Sequence, residues 1–522
     1  DMVKGSLREA TGYTNAYTFR NTLQYTGEYA GKHYISLFAG QEIQERTAYN
    51  SFNYSPVFDE EHRIVGFPEM DGIDGSEINY NALGGTGKSV SKMSSFFANA
   101  SYSYLDKYIL TGALRYDGSD IIGNDNQFTP LWNVGLRWNL HREEFMKRWM
   151  WVDQFAVRGG FGYTGSIDKN ALPFVVMTLG QSVIYDGQTV PTSFSYPNPN
   201  VKWQTKQDMN VGLDLSLFDY RLELGVNYYH NITRDVLDRK ALPYSSGRNE
   251  VTENVADIYN NGWEIDLGVT LLKNKSFQWY AKANIAINDN KVKNTYYKET
   301  KDLPKATLSN AHQFVENQPV NGWYGYKFAG INPINGAVMT YTGNGEATLD
   351  MSVSGATWPT PSVFYLGNLT PPVVGGFSTS ANWKQLIFSA NFEFKTGHKI
   401  KSFNTFRSLD ARNRHTSEAN RWREPGDITN VPAMSEAFTT YSSYMYDILL
   451  EKGNYLRCSY MTLGYNLKPE WLHKIGFSTA RLSFTAKNLF TISSYSGIDP
   501  ALMGSFGYPN SRKYTITLNV GF

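Results

Sequence analysis

The last residues of the chain alternate between apolar and polar side chains. The apolar set is Tyr514, Ile516, Leu518, Val520 and Phe522, and the residues between them are polar or glycine. Because side chains of a β-strand point alternately to opposite sides, this pattern predicts a strand with one apolar and one polar face. Such a strand suits a soluble sandwich, and it equally suits a membrane barrel with lipid outside and a polar lumen inside.

The same period of two recurs along the whole chain. The predicted strands are 16–28, 33–46, 94–105, 107–117, 131–141, 153–164, 207–218, 220–232, 262–272, 276–289, 375–384, 386–397, 454–467, 479–491 and 512–522. Most run about 9–13 residues, roughly twice the common soluble length, which suits a tilted crossing of a bilayer. The pattern therefore predicts an all-β fold, a transmembrane antiparallel β-barrel, with about fifteen strands in this chain.

Short and long connections alternate between these strands. The long ones lie near 47–93, 165–206, 233–261, 290–374 and 398–453. Short periplasmic turns and long extracellular loops are typical of outer-membrane barrels, so residues 1–522 are treated as part of one barrel domain. An odd number of antiparallel strands puts the two ends of a chain on opposite sides of the membrane, whereas bacterial barrels usually have an even number. We therefore expect this chain to be the C-terminal portion of a barrel whose first strands are missing from it or form a separate chain.

Composition narrows the classes of protein that fit. Charged residues make up 19% and aromatic residues 15%, with 36 Tyr and 45 Gly, a balance typical of strands and turns. The sequence contains no uncharged apolar stretch of the ~18 residues that a spanning helix needs. A net charge of +1 indicates no general preference for nucleic acid. The single cysteine, Cys458, excludes an intramolecular disulfide framework.

Several short strings occur in a fixed order along the chain. They are RYDGSD at 115–120, RGGFGYTGS at 158–166, NPNVKWQT at 198–205, YGYKFAGI at 324–331, GGF at 375–377, GNYLRCSYMTLGY at 453–465, KNLF at 487–490 and YPNSRKYTITLNVGF at 508–522. Each string alone is weak, but the ordered set resembles the C-terminal half of the SusC/RagA family of TonB-dependent outer-membrane transporters.

The resemblance implies properties that the residue pattern alone does not. It implies a 22-stranded barrel with an N-terminal plug, and we expect the plug and about seven of the strands to be missing from this chain. It also implies a bacterial outer-membrane location and active import of a bulky nutrient, an oligosaccharide or a peptide. The implied partners are a SusD-like surface lipoprotein lid, the TonB–ExbB–ExbD system acting through the missing N-terminal region, the remaining N-terminal part of the same barrel, and outer-membrane lipid.

No constellation of catalytic residues, metal ligands or cofactor-binding motifs is evident, so we predict neither an enzyme nor a metal or cofactor site. The acidic stretch 117–126 offers oxygen ligands but lacks the spacing of a Ca²⁺ loop. Aromatic rings in the long loops could stack on a sugar or cover an apolar peptide side chain, although loop core, girdle or partner interface are alternative roles. The candidates for substrate or lid contact are Trp203, Tyr244, Trp323, Tyr324, Tyr326, Trp358 and Trp422.

Two further expectations concern the ends of the barrel. Loops 290–374 and 398–453 are too long to be simple connections, and we expect them to form much of the docking surface for the lipoprotein lid. The alternating residues from Tyr514 to Phe522 are expected to act as the barrel-assembly signal, although Phe522 could equally be an ordinary lipid-facing aromatic residue.

Two alternative functions remain for the whole protein. It could be a siderophore or vitamin receptor, or a passive porin or adhesin. A plug with a TonB box would favour active import.

Overall fold

The structure is a computed structural model. It describes residues 5–59, 64–66, 84–120, 127–166, 177–185, 188–194, 202–241, 245, 250–296, 298–300, 314–349, 363–401, 419–433, 446–472, 476–503 and 507–522. The predicted candidates Tyr244 and Trp358 lie outside these residues.

One large antiparallel sheet dominates the described residues, and its long strands pair in sequence order. They are β1 (Gly5–Tyr29), β2 (His33–Asp59), β4 (Gly84–Tyr104), β5 (Tyr108–Ser119), β6 (Phe128–Asn139), β7 (Val152–Ser166), β10 (Gln204–Leu217), β11 (Leu222–Ala241), β12 (Glu250–Lys273), β13 (Phe277–Lys293), β19 (Val373–Trp383), β20 (Leu386–Thr396), β23 (Tyr455–Asn466), β24 (Thr479–Ser493) and β25 (Lys513–Gly521). A three-residue strand, β3 (Ile64–Gly66), pairs with β2 beside this series.

The remaining strands form small sheets within the connections. They are β8 (Met177–Tyr185) with β9 (Gln188–Phe194), β14 (Gly322–Gly325) with β18 (Phe364–Asn368), β15 (Phe328–Ile331) with β16 (Val338–Tyr341) and β17 (Ala347–Leu349), and β21 (Lys399–Lys401) with β22 (Leu450–Lys452). One short α-helix, α1, spans Pro469–Leu472. Turns of 3₁₀-helix occur at Leu140–Arg142, Met146–Arg148, Asp447–Leu449 and Pro500–Leu502. Within the described residues, no helix is both long and apolar enough to cross a membrane.

The prediction of an all-β chain built on a large antiparallel sheet is confirmed, and every predicted strand overlaps a strand of that sheet. Several strands run further than the pattern indicates. The β1–β2 pairing continues from Tyr29↔His33 to Leu7↔Ser55, well into the segment predicted as loop 47–93. The sequence underestimates this extension because backbone pairing continues where the strict apolar–polar alternation fades.

The register keeps the two faces of the sheet chemically distinct. On one face, apolar side chains of neighbouring strands stand side by side, as Leu114 does with Trp132 and Val134 with Phe161. These side chains are largely exposed, and Leu23 on β1 is 76% exposed. Polar and charged residues occupy the opposite face. The described part of the sheet ends in two edges, β1 and β25, which do not pair with each other there.

Candidate ligand-facing surface

The polar face of the sheet carries two arginines that share one carboxylate. Arg137 on β6, Arg158 on β7 and Asp214 on β10 lie on neighbouring strands, and the register pairs Arg137 directly with Arg158. Arg137 Nη1 lies 2.9 Å from Asp214 Oδ2, and Arg158 Nε lies 3.5 Å from Asp214 Oδ1. Two guanidinium groups against one carboxylate leave this part of the face net positive.

Further along the same face lies an amide cluster, formed by Asn260, Asn288, Asn290 and Tyr229. Asn290 Nδ2 donates to Asn260 Oδ1 over 2.7 Å, and the Tyr229 hydroxyl donates to Asn288 Oδ1 over 2.9 Å. Asn290 Oδ1 in turn accepts from the backbone N–H of Val320, at 2.8 Å. Each side-chain amide offers two donor hydrogens and an acceptor oxygen, so the cluster retains capacity for further hydrogen bonds.

Two adjoining recesses open at the amide cluster. The larger has a volume of about 690 Å³ and is lined by Asn260 and Asn288 together with Lys206 and Glu264. The smaller, of about 340 Å³, shares the two asparagines and reaches Pro319 at the base of a long loop. Their walls combine neutral amides with charges of both signs. Such a surface can hydrogen-bond a ligand that has many donors and acceptors along its length.

At one end of the strands, the two longest connections, from β13 to β19 and from β20 to β23, fold into one unit. We call the described residues of 294–372 and 397–454 the loop lobe. Its buried core consists of Val315, Tyr324, Tyr326, Ile331, Val338, Val363 and Tyr446. The lobe therefore has an apolar core of its own, separate from the wall of the sheet.

Direct contacts join the two connections across this core. Tyr326 and Tyr446 form a parallel backbone bridge, and their ring centroids lie 5.9 Å apart. The indole Nε1 of Trp323 donates to the backbone carbonyl of Lys399 over 2.9 Å. Both tyrosines are fully buried and Trp323 is 7% exposed. These contacts position the two connections relative to each other.

Trp422 lies at the edge of the lobe core. Its Nε1 donates to the carbonyl of Pro333 over 3.1 Å, and the same carbonyl accepts from the Gly426 N–H at 2.8 Å. Gly336 packs under the indole in a left-handed conformation (φ +71°), and a Cβ there would lie 2.5 Å from the ring. The close approach of Trp422 to the backbone thus requires glycine at position 336.

Two buried titratable side chains in the lobe are held uncharged. Burial, and to a lesser extent Tyr365, raises the pKa of Tyr324, whose hydroxyl has no hydrogen-bond partner within the described residues. Burial and the nearby Lys395 lower the pKa of His398, which is 3% exposed. The lobe is therefore assembled around neutral groups at neutral pH.

The structure brings four of the predicted aromatic candidates together in the loop lobe: Trp323, Tyr324, Tyr326 and Trp422. Three of these rings are buried, and Trp422 is half-buried at the edge. Trp203 is separate; it lies just before β10, is 4% exposed, and its Nε1 donates to the Gln127 carbonyl over 3.3 Å. Ligand contact by any of these residues remains a prediction.

The final strand places its alternating apolar residues on one exposed face of the edge strand β25. Tyr514, Ile516 and Leu518 are each at least 60% exposed, and the ring of Phe522 lies 5.1 Å from that of Phe477. The proposed role in barrel assembly remains a prediction.

The amide cluster was not among the predicted site residues. The signal for it was present, because β12 and β13 are adjacent and the register places Asn260 opposite Asn290. Asn288 lies two residues before Asn290, on the same face of β13. In the acidic stretch considered for Ca²⁺, Asp117 Oδ1 lies 2.6 Å from Arg115 Nε. The described residues contain no group of three or more His, Cys, Asp or Glu side chains arranged to hold a metal ion.

Comparison with known proteins shows a consistent relationship. A family model described as TonB dependent receptor-like, beta-barrel matches residues 4–395. TonB-dependent receptor P3 of Formosa agariphila is 27% identical, over 96% of this chain and 52% of the relative. TonB-dependent receptor SusC of Bacteroides thetaiotaomicron is 23% identical, over 82% of this chain and 43% of the relative. The chain thus spans about half the length of the curated relatives it matches.

Among solved structures, the RagAB peptide importer in the 'open-open' state is similar with a TM-score of 0.80 and 24% identity. The superposition covers 99% of this chain and 56% of the other. A second structure, of the RagAB peptide transporter, gives a TM-score of 0.78 at 23% identity. At this level of identity the similarity establishes the fold.

Proposed function

Because this chain belongs to the TonB-dependent receptor-like β-barrel family, we propose that it forms much of the wall of an outer-membrane transporter that imports a bulky nutrient. The exposed apolar face of the sheet then contacts lipid, and the polar face lines the lumen. The short connections, such as 30–32 and 218–221, lie on the periplasmic side, and the loop lobe lies outside the cell.

We further propose that the two edges of the sheet are paired with additional strands in the working transporter. A membrane sheet must satisfy its edge N–H and C=O groups, because lipid offers no hydrogen bonds. The proposed complete barrel has about 22 strands around a plug, and TonB–ExbB–ExbD acts through the plug region. A passive porin is the alternative. Uptake that persists at the wild-type rate in a strain without TonB would favour the porin over the active importer.

The proposed class of nutrient is inferred from the amide cluster and the two recesses beside it. A surface of neutral amides with charges of both signs suits a polymer that presents repeated donors and acceptors, namely a peptide or an oligosaccharide. A siderophore or vitamin receptor is the alternative. The similar RagAB assembly is a peptide importer, which supports a peptide as the nutrient of this chain. The same test can identify an oligosaccharide instead.

The test is to purify the full-length transporter from its native membrane and to identify the molecules that co-purify by mass spectrometry. The double variant Asn260→Ala/Asn288→Ala should retain at least about tenfold less ligand than wild type, because several hydrogen bonds of ~1 kcal/mol each are lost. Asn284→Ala is the matched control, since Asn284 lies on the same face of β13 but does not line either recess. Equal ligand retention by all three proteins would contradict this assignment.

We also propose that the loop lobe is the docking surface for a SusD-like lipoprotein lid. The core that the two long connections share gives them a defined shape. Two apolar side chains near Trp422 are exposed to solvent, Ile428 (98% exposed) and Ile334 (75% exposed). Photo-crosslinkers placed at 334 and 428 should capture the lid, whereas one placed at Ile287 on the lipid face should not. Lid crosslinks found only from other loops would contradict the proposal.

A further inference from the structure

Arg158 lies close against the polar face of the sheet, at one side of the larger recess beside the amide cluster. Its register partner on β10 is Gly212, and a Cβ at position 212 would lie 2.7 Å from the guanidinium carbon of Arg158. A side chain at position 212 would therefore displace the guanidinium. The glycine provides the space in which Arg158 crosses β10 towards β11.

The two arginines that share Asp214 are held unequally. Arg137 donates to Asp214 Oδ2 and to Asn139 Oδ1, in both cases over 2.9 Å. Arg158 Nε approaches Asp214 only to 3.5 Å, and the one hydrogen bond that this guanidinium donates within the described residues goes to Asn227 Oδ1, also at 3.5 Å. Asp214 thus mainly neutralises Arg137. Arg158 retains most of its five N–H donors for another acceptor.

The other charged residues that line the recess are already engaged. Lys206 and Asp208 form an ion pair with each other. Glu264 Oε2 accepts from Asn227 Nδ2 over 3.2 Å, so the amide of Asn227 stands between the positive charge of Arg158 and the negative charge of Glu264. Of the two cations that line this recess, Arg158 is therefore the one whose charge is less compensated.

From this geometry we infer that Arg158 forms a carboxylate-binding subsite within the recess. A guanidinium binds a carboxylate through two parallel N–H···O bonds, which an ammonium group cannot reproduce. The side chain of Arg158 is 39% exposed, and the recess of about 690 Å³ leaves room for a ligand beside it. The amide cluster then binds the neutral part of the same ligand. The inference rests on the proposed import of a bulky nutrient along this face.

The charges of the recess favour a peptide as the source of the carboxylate. Glu264 is exposed on the other side of Asn227, where it suits an ammonium group of the ligand. A peptide carries both a carboxylate and an ammonium group. An acidic oligosaccharide carries carboxylates alone, and Glu264 would repel them. The subsite therefore selects peptides with a free carboxylate next to Arg158.

The experiment offers the purified full-length transporter two peptide libraries in equal amounts. One consists of random hexapeptides without acidic side chains and with a free C-terminal carboxylate, and the other consists of the same peptides as C-terminal amides. Peptides retained after rapid desalting are quantified by mass spectrometry. Wild type should retain the free acids over the amides by about tenfold, because hydrogen bonds between charged groups are stronger than those of a neutral amide.

Four variants connect this preference to the guanidinium. Arg158→Gln should reduce the ratio of acids to amides to about one, and Arg158→Lys should give an intermediate ratio, because it keeps the charge and loses the paired donors. Asp214→Asn removes the competing carboxylate and should raise the ratio above wild type. Lys282→Gln is the matched control, since Lys282 is an exposed cation on the polar face of β13 that does not line the recess. Loss of folding cannot produce opposite changes in Arg158→Gln and Asp214→Asn.

The outcomes separate this subsite from the proposed function. A wild-type ratio near one, or an unchanged ratio in Arg158→Gln, overturns the subsite and leaves nutrient import in place. A ratio in Asp214→Asn that is no higher than wild type also contradicts the subsite. A parallel sample receives oligomers of galacturonic acid. Retention of these oligomers without any peptide overturns the assignment to peptides, and retention of neither class overturns the import proposal itself.

Discussion

The wall and the loop lobe of this protein are stabilised in different ways. In the wall, large apolar side chains such as Leu23 and Ile516 are about three-quarters exposed, and long ladders of backbone hydrogen bonds join the strands. In the lobe, Tyr326 and Tyr446 are fully buried, and the strands are only three to five residues long. In the proposed transporter, lipid surrounds the apolar face of the wall, whereas the lobe carries its own hydrophobic core.

This difference predicts that a substitution that destabilises one region leaves the stability of the other unchanged. Tyr446→Ala should cost the lobe about 3–5 kcal/mol of local stability, since it removes a large side chain from the centre of the core. Hydrogen exchange should then accelerate across 314–349 and 446–452, while the mobility of the folded barrel on an unheated gel stays unchanged. Tyr341→Ala, at a 37% exposed site on β16, is the control and should leave exchange close to wild type.

Loss of the barrel band in Tyr446→Ala would contradict the independence of the two regions. So would unchanged exchange in the lobe.

The wall should instead be sensitive to the face on which a charge is placed. Ala283 and Asn284 are neighbours on β13, at nearly the same depth but on opposite faces. Ala283→Arg should destabilise the barrel by about 2–4 kcal/mol, because the guanidinium must enter lipid, whereas Asn284→Arg should cost little in the polar lumen. Urea unfolding of the reconstituted full-length protein measures both variants. Equal costs for the two would remove the assignment of lipid and lumen faces.

The contrast also explains what the sequence could predict. The strands of the wall have a local signature, because each must alternate along its own length, as Trp263, Ile265 and Leu267 do with Glu264 and Asp266. The lobe has no such signature. Tyr326 and Tyr446 are 120 positions apart, and only the fold brings them together. The sequence therefore pointed to aromatic residues in the long loops, but it could not distinguish a ring that faces a ligand from one that packs a loop core.

The amide cluster lies between the wall and the lobe in how far the sequence could predict it. Its asparagines are polar residues on strands whose pairing was predictable, so Asn260 and Asn288 could have been grouped from the hairpin register alone. The contact of Asn290 with Val320 could not, because it depends on how a loop returns to the wall.

The connection 140–151 between β6 and β7 differs from the strands of the wall in its expected response to pH. Hydrogen bonds from Tyr108, Lys107 and Trp138 lower the pKa of Glu143 from 4.5 to about 2. Since the folded-state value is below the unfolded one, the stabilisation is present above pH 4.5 and is lost as the pH falls towards 2. Amides of 140–151 should therefore lose exchange protection between pH 4.5 and pH 2, while protection in the wall persists.

Glu143→Gln is the decisive variant for this prediction, because it keeps the shape of the side chain and removes its charge. Its connection should exchange faster at neutral pH and respond less to acid. Glu144→Gln is the control, since Glu144 bonds only its exposed neighbour Lys147 in the described structure. A wild-type connection that stays protected down to pH 2 would show that the carboxylate does not hold it in place.

The smallest effect is expected from a side-chain hydrogen bond on the apolar face of the wall. Trp279 Nε1 donates to Thr379 Oγ1 across β13 and β19, at 2.8 Å. Thr379→Val keeps the shape of the side chain but removes this acceptor, together with the 3.5 Å bond that the hydroxyl donates to the Tyr280 carbonyl, and should lower the free energy of unfolding by about 1 kcal/mol. Thr379→Ser keeps the acceptor and should lie closer to wild type in urea unfolding. If Thr379→Val unfolds with the same free energy as wild type, the hydrogen bond does not stabilise the wall, which then depends on its backbone ladders rather than on side-chain pairs at its surface.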